Sequence, residues 1–458
     1  MFQTLKNAWK IPELKNKLLF TLLIIVLYRL GSAIPLPWVN RDTLQRWVRS
    51  QGGNALGWLN VLSGGALSRA TLFALSVSPY ITASIVVQLL TIAIPKFTDW
   101  SKEGESGQKK LSLVTRWLTV VLALVTAVGY TLYISNSGMV QTYKNTWENV
   151  VVKIVLVACY CAGAALIMWL AERINEFGIG NGISIILFAN IISRLPAMAE
   201  SLWKRCFTSD VVVANSTYKS VGLGAKLSGA PLYIVGSLLF LLFIAILLFF
   251  TVLVVWFSNS ERRIPVQYAK RVVGRKMYGG QSSTLPIKLD MSGVMPIIFA
   301  SSIVSIPSTI AGFGGTRAWA TWINDFLGYT SFPYIAIYLI LIVAFAYFYI
   351  MISFNPVEVA NNLQQNGGAV PGIRPGRPTV AYITKILNRI TLLGALFLIV
   401  LSGVPMIVNA VWYSIDGYGL SELAFSGSSL LIVVGVALET FRELEAQMTL
   451  RNYKGFLD

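Results

Sequence analysis

From Leu227 to Ser258 the chain carries no charged side chain, and this run alone exceeds the roughly 20 apolar residues with which a helix crosses a bilayer. Lipid offers no partner to a backbone N–H or C=O, so a run this long, far beyond the length of a membrane strand, is confined to a helix that pairs its own backbone. Uncharged or nearly uncharged segments recur near residues 18 to 38, 72 to 95, 117 to 137, 154 to 171, 177 to 193, 291 to 316, 326 to 354, 380 to 410 and 423 to 438. The pattern predicts an all-α polytopic membrane protein with ten transmembrane helices. The fifth and tenth are short, and the ninth begins in a stretch containing Lys385 and Arg389. The amino-terminal MFQTLKNAWKIPELKNK followed by LLFTLLIIVLY has the layout of a signal peptide. GSAIPLPW follows without a cleavage site of the usual kind, so the segment is expected to stay as the first span.

Lysine and arginine orient the bundle, because basic residues accumulate in cytoplasmic loops. Of 37 basic residues, 24 fall in the amino terminus, the loops after spans 2, 4, 6 and 8, and the carboxyl tail, against 11 in the alternate loops. Arg29 and Lys153 lie in or beside spans and complete the set. Both termini are expected in the cytoplasm.

The chain has no histidine, which removes the commonest general base and metal ligand at neutral pH. Cys159, Cys161 and Cys206 lack metal-site spacing, and the first two, two residues apart on an apolar helix, point away from each other. They read as packing residues. No catalytic residue, metal site or cofactor is predicted.

Comparison of the chain with itself yields a repeat. VSPYITAS at 77–84 matches VMPIIFAS at 294–301, pairing Val77 with Val294, Pro79 with Pro296, Ile81 with Ile298, Ala83 with Ala300 and Ser84 with Ser301. A weaker pair, GISIIL at 182–187 and GSSLLI at 427–432, aligns Gly182 with Gly427, Ser184 with Ser429 and Leu187 with Ile432. Span 2 thus corresponds to span 7 and span 5 to span 10, which describes two five-span halves. An odd number of spans inverts the second copy, and inverted repeats place the functional passage between the halves. No Asp, Glu, Lys or Arg lies mid-span in these four helices, whereas ion-coupled transporters and proton relays place ionisable groups there. Ile81, Ile298, Leu187 and Ile432 either form a hydrophobic constriction that closes by dewetting or pack as an ordinary bundle core; the residues alone leave both readings open.

Several motifs converge: LSGGALSRATLFALSVSPYITASIVVQLL, KEGESGQKK, GIGNGISIILFANII, ERRIPVQYAKR, LPIKLDMSGVMPIIFASSI, NPVEVANNLQQNGG with PGIRPGRPT, and SGSSLLIVVGVALET. In order and spacing, from the first span to the last, they closely resemble the SecY/Sec61α family of protein-conducting channels. The resemblance implies two inverted five-helix halves, at 1–210 and 211–458, around a central pore with a re-entrant plug helix at about 60–71. It implies a pore ring of Val77, Ile81, Leu187, Ile191, Ile298 and Ile432, with leucine at 187 where isoleucine is familiar. The plug would comprise Leu62, Ser63, Gly64, Gly65, Ala66, Leu67, Ser68 and Arg69. Thr82, Gln88 and Ile306 would lie near a lateral gate between spans 2 and 7.

The same resemblance implies a channel that passes unfolded secretory polypeptides across, and releases membrane helices laterally into, a bacterial plasma membrane. Partners would be SecE, SecG, the SecA motor, the ribosome with its RNA and exit-tunnel proteins, signal peptides, nascent or preprotein chains, and membrane lipids. The loops at about 258–289 and 354–379 carry Arg262, Arg263, Lys270, Arg271, Arg275, Lys276, Arg374 and Arg377. Topogenic charge is one account of them. Yet they are longer and richer in Gly and Pro than orientation requires, and dense basic loops suit RNA or an acidic protein surface. The family docks its partners here, which makes Arg262, Arg263, Lys270, Arg271 and Arg374 candidates; Arg377 departs from the family pattern and receives no role. No GxxxxGK[ST] motif occurs, so the energy must come from a partner. The alternative is an inverted-repeat secondary transporter of small solutes, which calls for the mid-membrane charge that these helices lack. An intramembrane protease is a third class and ranks far below these two, since HExxH needs histidine and no pair of mid-span aspartates exists.

Overall fold

The computed structural model describes residues 6, 8–50, 60, 63–141, 143, 145–197, 199–200, 203, 210–213, 216–219, 230–268, 271–273, 276–278, 282–291, 293–314, 318–328, 331–416 and 426–454. In chain order its helices are α1 (Pro12–Ala33), α2 (Arg41–Ser50), α3 (Ser78–Ala93), α4 (Pro95–Lys102), α5 (Glu105–Asn136), α6 (Thr146–Phe177) and α7 (Gly182–Ile192). The second half holds α8 (Ala230–Asn259), α9 (Met295–Gly314), α10 (Ala318–Phe326), α11 (Phe332–Ser353), α12 (Pro356–Gln365), α13 (Arg377–Asp416) and α14 (Ser426–Lys454). Each of the ten predicted segments holds a helix, and the chain is an integral membrane protein.

Among the described residues, six stretches are long and apolar enough to cross a membrane unaided: Pro12–Ala33, Glu105–Asn136, Thr146–Phe177, Phe240–Asn259, Phe332–Gln365 and Arg377–Val408. The segments outside this set are α3, which meets α4 at a bend of 101°, the short α7 and α9, and α14. These are the four helices that the internal repeat pairs. That they fall outside that set has one physical reason: neighbouring helices cover much of their surface, so they need not be long or apolar all round. The converse holds for α8, where Leu238, Leu241, Phe249 and Val252 are each more than 60% exposed, as a lipid-facing helix requires.

Boundaries differ from the sequence expectation in informative places. Pro12 starts α1 six residues early, because proline fits a first helical turn whose N–H has no partner anyway. The ninth span begins at Arg377, placing Lys385 and Arg389 inside α13. The region 258–289 folds as a sheet: β3 (Glu261–Tyr268) pairs antiparallel with β6 (Ser282–Lys288), placing Ile264 opposite Leu285. Between them β4 (Arg271–Val273) pairs with β5 (Lys276–Tyr278), and before α8 a further hairpin joins β1 (Asp210–Val213) to β2 (Ser216–Lys219). The region 354–379 contains α12 and the short β7 (Gly368–Ala369), which adds to the free edge of β3.

The main core is one apolar cluster drawn from α1, α3, α6, α7, α8, α9, α11, α13 and α14. A second cluster gathers Leu36, Leu44, Leu67, Ala70, Tyr130 and Tyr160 around residues 67–74. A third, with Ile264, Ile287, Ala360, Val370, Ile383 and Leu387, lies beneath the β3–β6 sheet. Cys159 and Cys161 are free and half-buried, in keeping with packing roles.

Candidate pore and basic face

Val77 and Ile81 of the α3 start, Leu187 and Ile191 of α7, Ile298 of α9 and Ile432 of α14 are all buried, at 1–7% exposure, and belong to the same cluster. The repeat explains their equivalence. Pro79 and Pro296 each occupy the second position of a helix, so Ile81 and Ile298 stand at the same height in α3 and α9. Two glycines permit the close approach. A Cβ at Gly182 would lie 2.0 Å from the Ala171 carbonyl oxygen, and one at Gly435 would lie 2.5 Å from Val294 Cγ2. The first seats α7 on α6; the second lets α14 close on α9. None of the six side chains is ionisable.

The segment ahead of α3 runs inward. Over Ser63–Ala70 its backbone makes successive turns, where the sequence predicts a short helix; Leu62 lies outside the described residues. The physical reason is the left-handed conformation of Gly64 (φ 65°) and Gly65 (φ 85°), which interrupts any regular helix. Internal bonds replace the helical ones: Ser63 Oγ donates to the Asn60 carbonyl at 3.0 Å, and the Ser68 N–H donates to Asn60 Oδ1 at 3.0 Å. Ser63, Gly65, Ala66 and Leu67 are buried, Gly64 and Ser68 partly so, and Arg69 is exposed.

The exit of α1 holds this segment. The Leu36 N–H donates to the Ala70 carbonyl and the Leu72 N–H to the Ile34 carbonyl, both at 3.0 Å, forming an antiparallel bridge between Pro35 and Thr71. Phe73 stacks on Tyr28 with ring centroids 5.4 Å apart. Asn190 of α7, fully buried, donates to the Tyr28 hydroxyl at 2.9 Å and to Ser76 Oγ at 3.4 Å. Arg29 donates from Nη2 to the Ala189 carbonyl. Sequence reasoning noted only the charge of Arg29 near a span; Tyr28, Asn190 and Ser76 gave no signal, since their partners lie far along the chain.

Of the expected gate residues, Thr82 and Gln88 are half-buried on α3, which packs against α9, and Ile306 of α9 is 39% exposed. Thr82 Oγ1 donates to the Ser78 carbonyl of its own helix at 3.0 Å, so its hydroxyl proton is used within α3.

The two basic regions form one face. β7 pairs with the end of β3, with Gln267 opposite Ala369 and Tyr268 opposite Gly368. Arg262, Arg263 and Arg374 are exposed on it; Arg263 Nε pairs with Glu261 Oε1 at 2.7 Å. Arg271 stands in β4, and Lys270 lies outside the described residues. Where β6 leads into α9, Ser258 Oγ donates to Asp290 Oδ2 at 3.2 Å, and Arg442 Nη2 donates to the Ser258 carbonyl at 2.6 Å. Burial raises the Asp290 carboxyl above its ordinary value, opposed by the Ser258 and Gly293 hydrogen bonds and the Arg442 and Lys288 charges. Burial and Arg442 lower the Lys288 ammonium.

Known proteins share this fold. A solved structure described as that of a protein conducting channel superposes with a TM-score of 0.58 at 15% identity, covering 95% of this chain and 92% of that one. Sec61 in the canine ribosome–channel complex from the endoplasmic reticulum gives 0.55 at 15%, covering 95% and 92%. At such identities the likeness concerns the fold. The protein translocase subunit SecY of Streptomyces coelicolor is 42% identical over 468 residues, covering 100% of both chains. The SecY family model matches residues 71–441, and with relatives of this identity over the full length, the chain belongs to the SecY family.

Proposed function

We propose that this chain is the channel-forming subunit of a Sec protein translocase, passing unfolded secretory polypeptides across the bacterial plasma membrane and releasing membrane helices laterally into it. The observation that carries the reading is the convergence of six aliphatic side chains, none of them ionisable, from α3, α7, α9 and α14 into one buried cluster. Val77, Ile81, Leu187, Ile191, Ile298 and Ile432 form the pore ring, which expels water when idle and parts around a passing chain. Residues 62–69 form the plug, and α3 separates from α9 at the lateral gate near Thr82, Gln88 and Ile306. With both termini cytoplasmic, the face carrying Arg262, Arg263, Lys270, Arg271 and Arg374 docks the ribosome or the SecA motor. SecE and SecG accompany the chain. It performs no chemistry itself; the work comes from the partner.

Reconstitution tests this. Vesicles containing the chain with SecE and SecG are expected to import a radiolabelled preprotein into a protease-protected space when SecA and ATP are supplied. Absence of import, with the subunits inserted and SecA bound, refutes the reading.

A further inference from the structure

Arg29 is a cation in the C-terminal half of a membrane helix, and none of the ion pairs among the described residues includes it. Such a charge is costly in hydrocarbon and is retained where it has work to do. Its guanidinium is partly buried, donates to the Ala189 carbonyl of α7, and lies with Cζ 6.0 Å from the Tyr28 ring centroid. It also touches the segment ahead of α3: a Cβ at Gly64 would sit 3.0 Å from Arg29 Nη1 and 3.0 Å from Asn190 Oδ1. Arg29 and Asn190 therefore close over Gly64 from two helices.

We infer that Arg29 is a positioning residue that latches the plug: its guanidinium, tied to α7, closes over Gly64 and keeps residues 63–77 seated until a passing chain displaces them. The inference rests on the reading of this segment as the plug. Two features of the seat support a part that is held and can be released. Gly31 is a notch for Phe73, because a Cβ there would fall 2.1 Å from Phe73 Cε2. Ala70 (φ 47°) and Ser76 (φ 52°) are non-glycine residues in the left-handed region, a strain the segment sheds when it leaves. The seat is therefore sprung; the Asn190 hydrogen bond to Ser76 and the Arg29 guanidinium packed against Gly64 oppose the spring. A guanidinium suits this task because its several donors can exchange α7 carbonyls for water as the segment departs.

The test measures resting ion conductance in planar bilayers, in a background lacking Cys159, Cys161 and Cys206. Arg29→Met keeps length and removes donors and charge; it is expected to raise resting conductance at least tenfold. Pro35→Cys with Thr71→Cys supplies the control. These residues face each other between two backbone bonds, Leu36 N–H to Ala70 and Leu72 N–H to Ile34, which is the closer type of antiparallel pair and within disulfide range. Oxidation of that pair in the Arg29→Met protein is expected to restore the seal, and reduction to abolish it. Wild-type conductance in Arg29→Met overturns the latch and leaves the plug reading intact. A leak that persists with the disulfide formed shows that the segment is not the seal, which overturns the plug reading and the latch with it. Gly64→Ala attacks the same contact from the other side and is expected to leak too, which keeps the latch falsifiable if Arg29→Met does not accumulate.

Discussion

Ile432→Asn offers the sharpest trial of the pore ring. Ile432 is 1% exposed and shares its cluster with Ile81, Leu187 and Ile298. Removing a fully buried isoleucine forfeits about 2 kcal/mol of apolar burial from the closed state, and an amide left among aliphatic side chains adds a desolvation penalty of about 1–3 kcal/mol. An open, hydrated pore escapes both costs, so the closed state loses roughly 3–5 kcal/mol relative to the open one. At 1.4 kcal/mol per factor of ten, the open-to-closed ratio rises by about two to three and a half orders of magnitude. Ile298→Asn should act in the same direction and less than additively in combination, because the two residues share one cluster. Leu248→Asn is the control: Leu248 is 56% exposed on the lipid-facing α8 and touches no part of the ring. Ion conductance in planar bilayers and export of a secretory reporter with a defective signal sequence are the measurements. Wild-type values for both ring variants, at normal membrane abundance, would mean that these residues merely pack a bundle core.

Further outcomes follow from other contacts. Arg374→Glu reverses a charge at an exposed turn of the basic face and is expected to cut SecA-driven import at least tenfold while leaving the melting temperature unchanged; normal import at saturating ATP refutes that role. Gly182→Ala drives a Cβ to 2.0 Å from the Ala171 carbonyl, which must push α7 from α6 and cost about 1–3 kcal/mol, read as a lower melting temperature in detergent. Burial raises the Asp290 carboxyl, so the folded state binds a proton more readily than the unfolded chain and its stability falls as pH rises through the folded value. Asp290→Asn should therefore match or exceed wild-type stability at pH 8, with the difference shrinking as pH is lowered toward the ordinary carboxylate range; a variant less stable at pH 8 than at pH 5, relative to wild type, contradicts this. An impermeant maleimide added to intact cells should label Ser137→Cys, in the exposed turn after α5, and spare Arg374→Cys; the reverse pattern inverts the topology.

The amino-acid sequence by itself determined which stretches lie in lipid and which helices are shielded from it. Hydropathy is a local property, and each of the ten apolar segments holds a helix for that reason. The repeat was legible as well, because identical helix starts such as Pro79 and Pro296 are written in neighbouring residues. That Ile81, Ile298, Leu187 and Ile432 share one cluster followed from symmetry that the chain displays twice. What only the tertiary structure decided are contacts whose partners stand far apart in sequence and carry no periodic mark. The seat of residues 63–77 depends on Tyr28 meeting Asn190 across 162 positions and Arg29 meeting Ala189 across 160. Its turns depend on positive φ at Gly64 and Gly65, which a short run of small residues does not distinguish from a helix. The basic regions read as two loops until β7 pairs with the edge of β3, a register set by the shared apolar floor of Ile264, Ile287, Val370 and Ile383. Local free energy chooses the elements; the burial of distant polar and apolar groups against one another chooses how they meet.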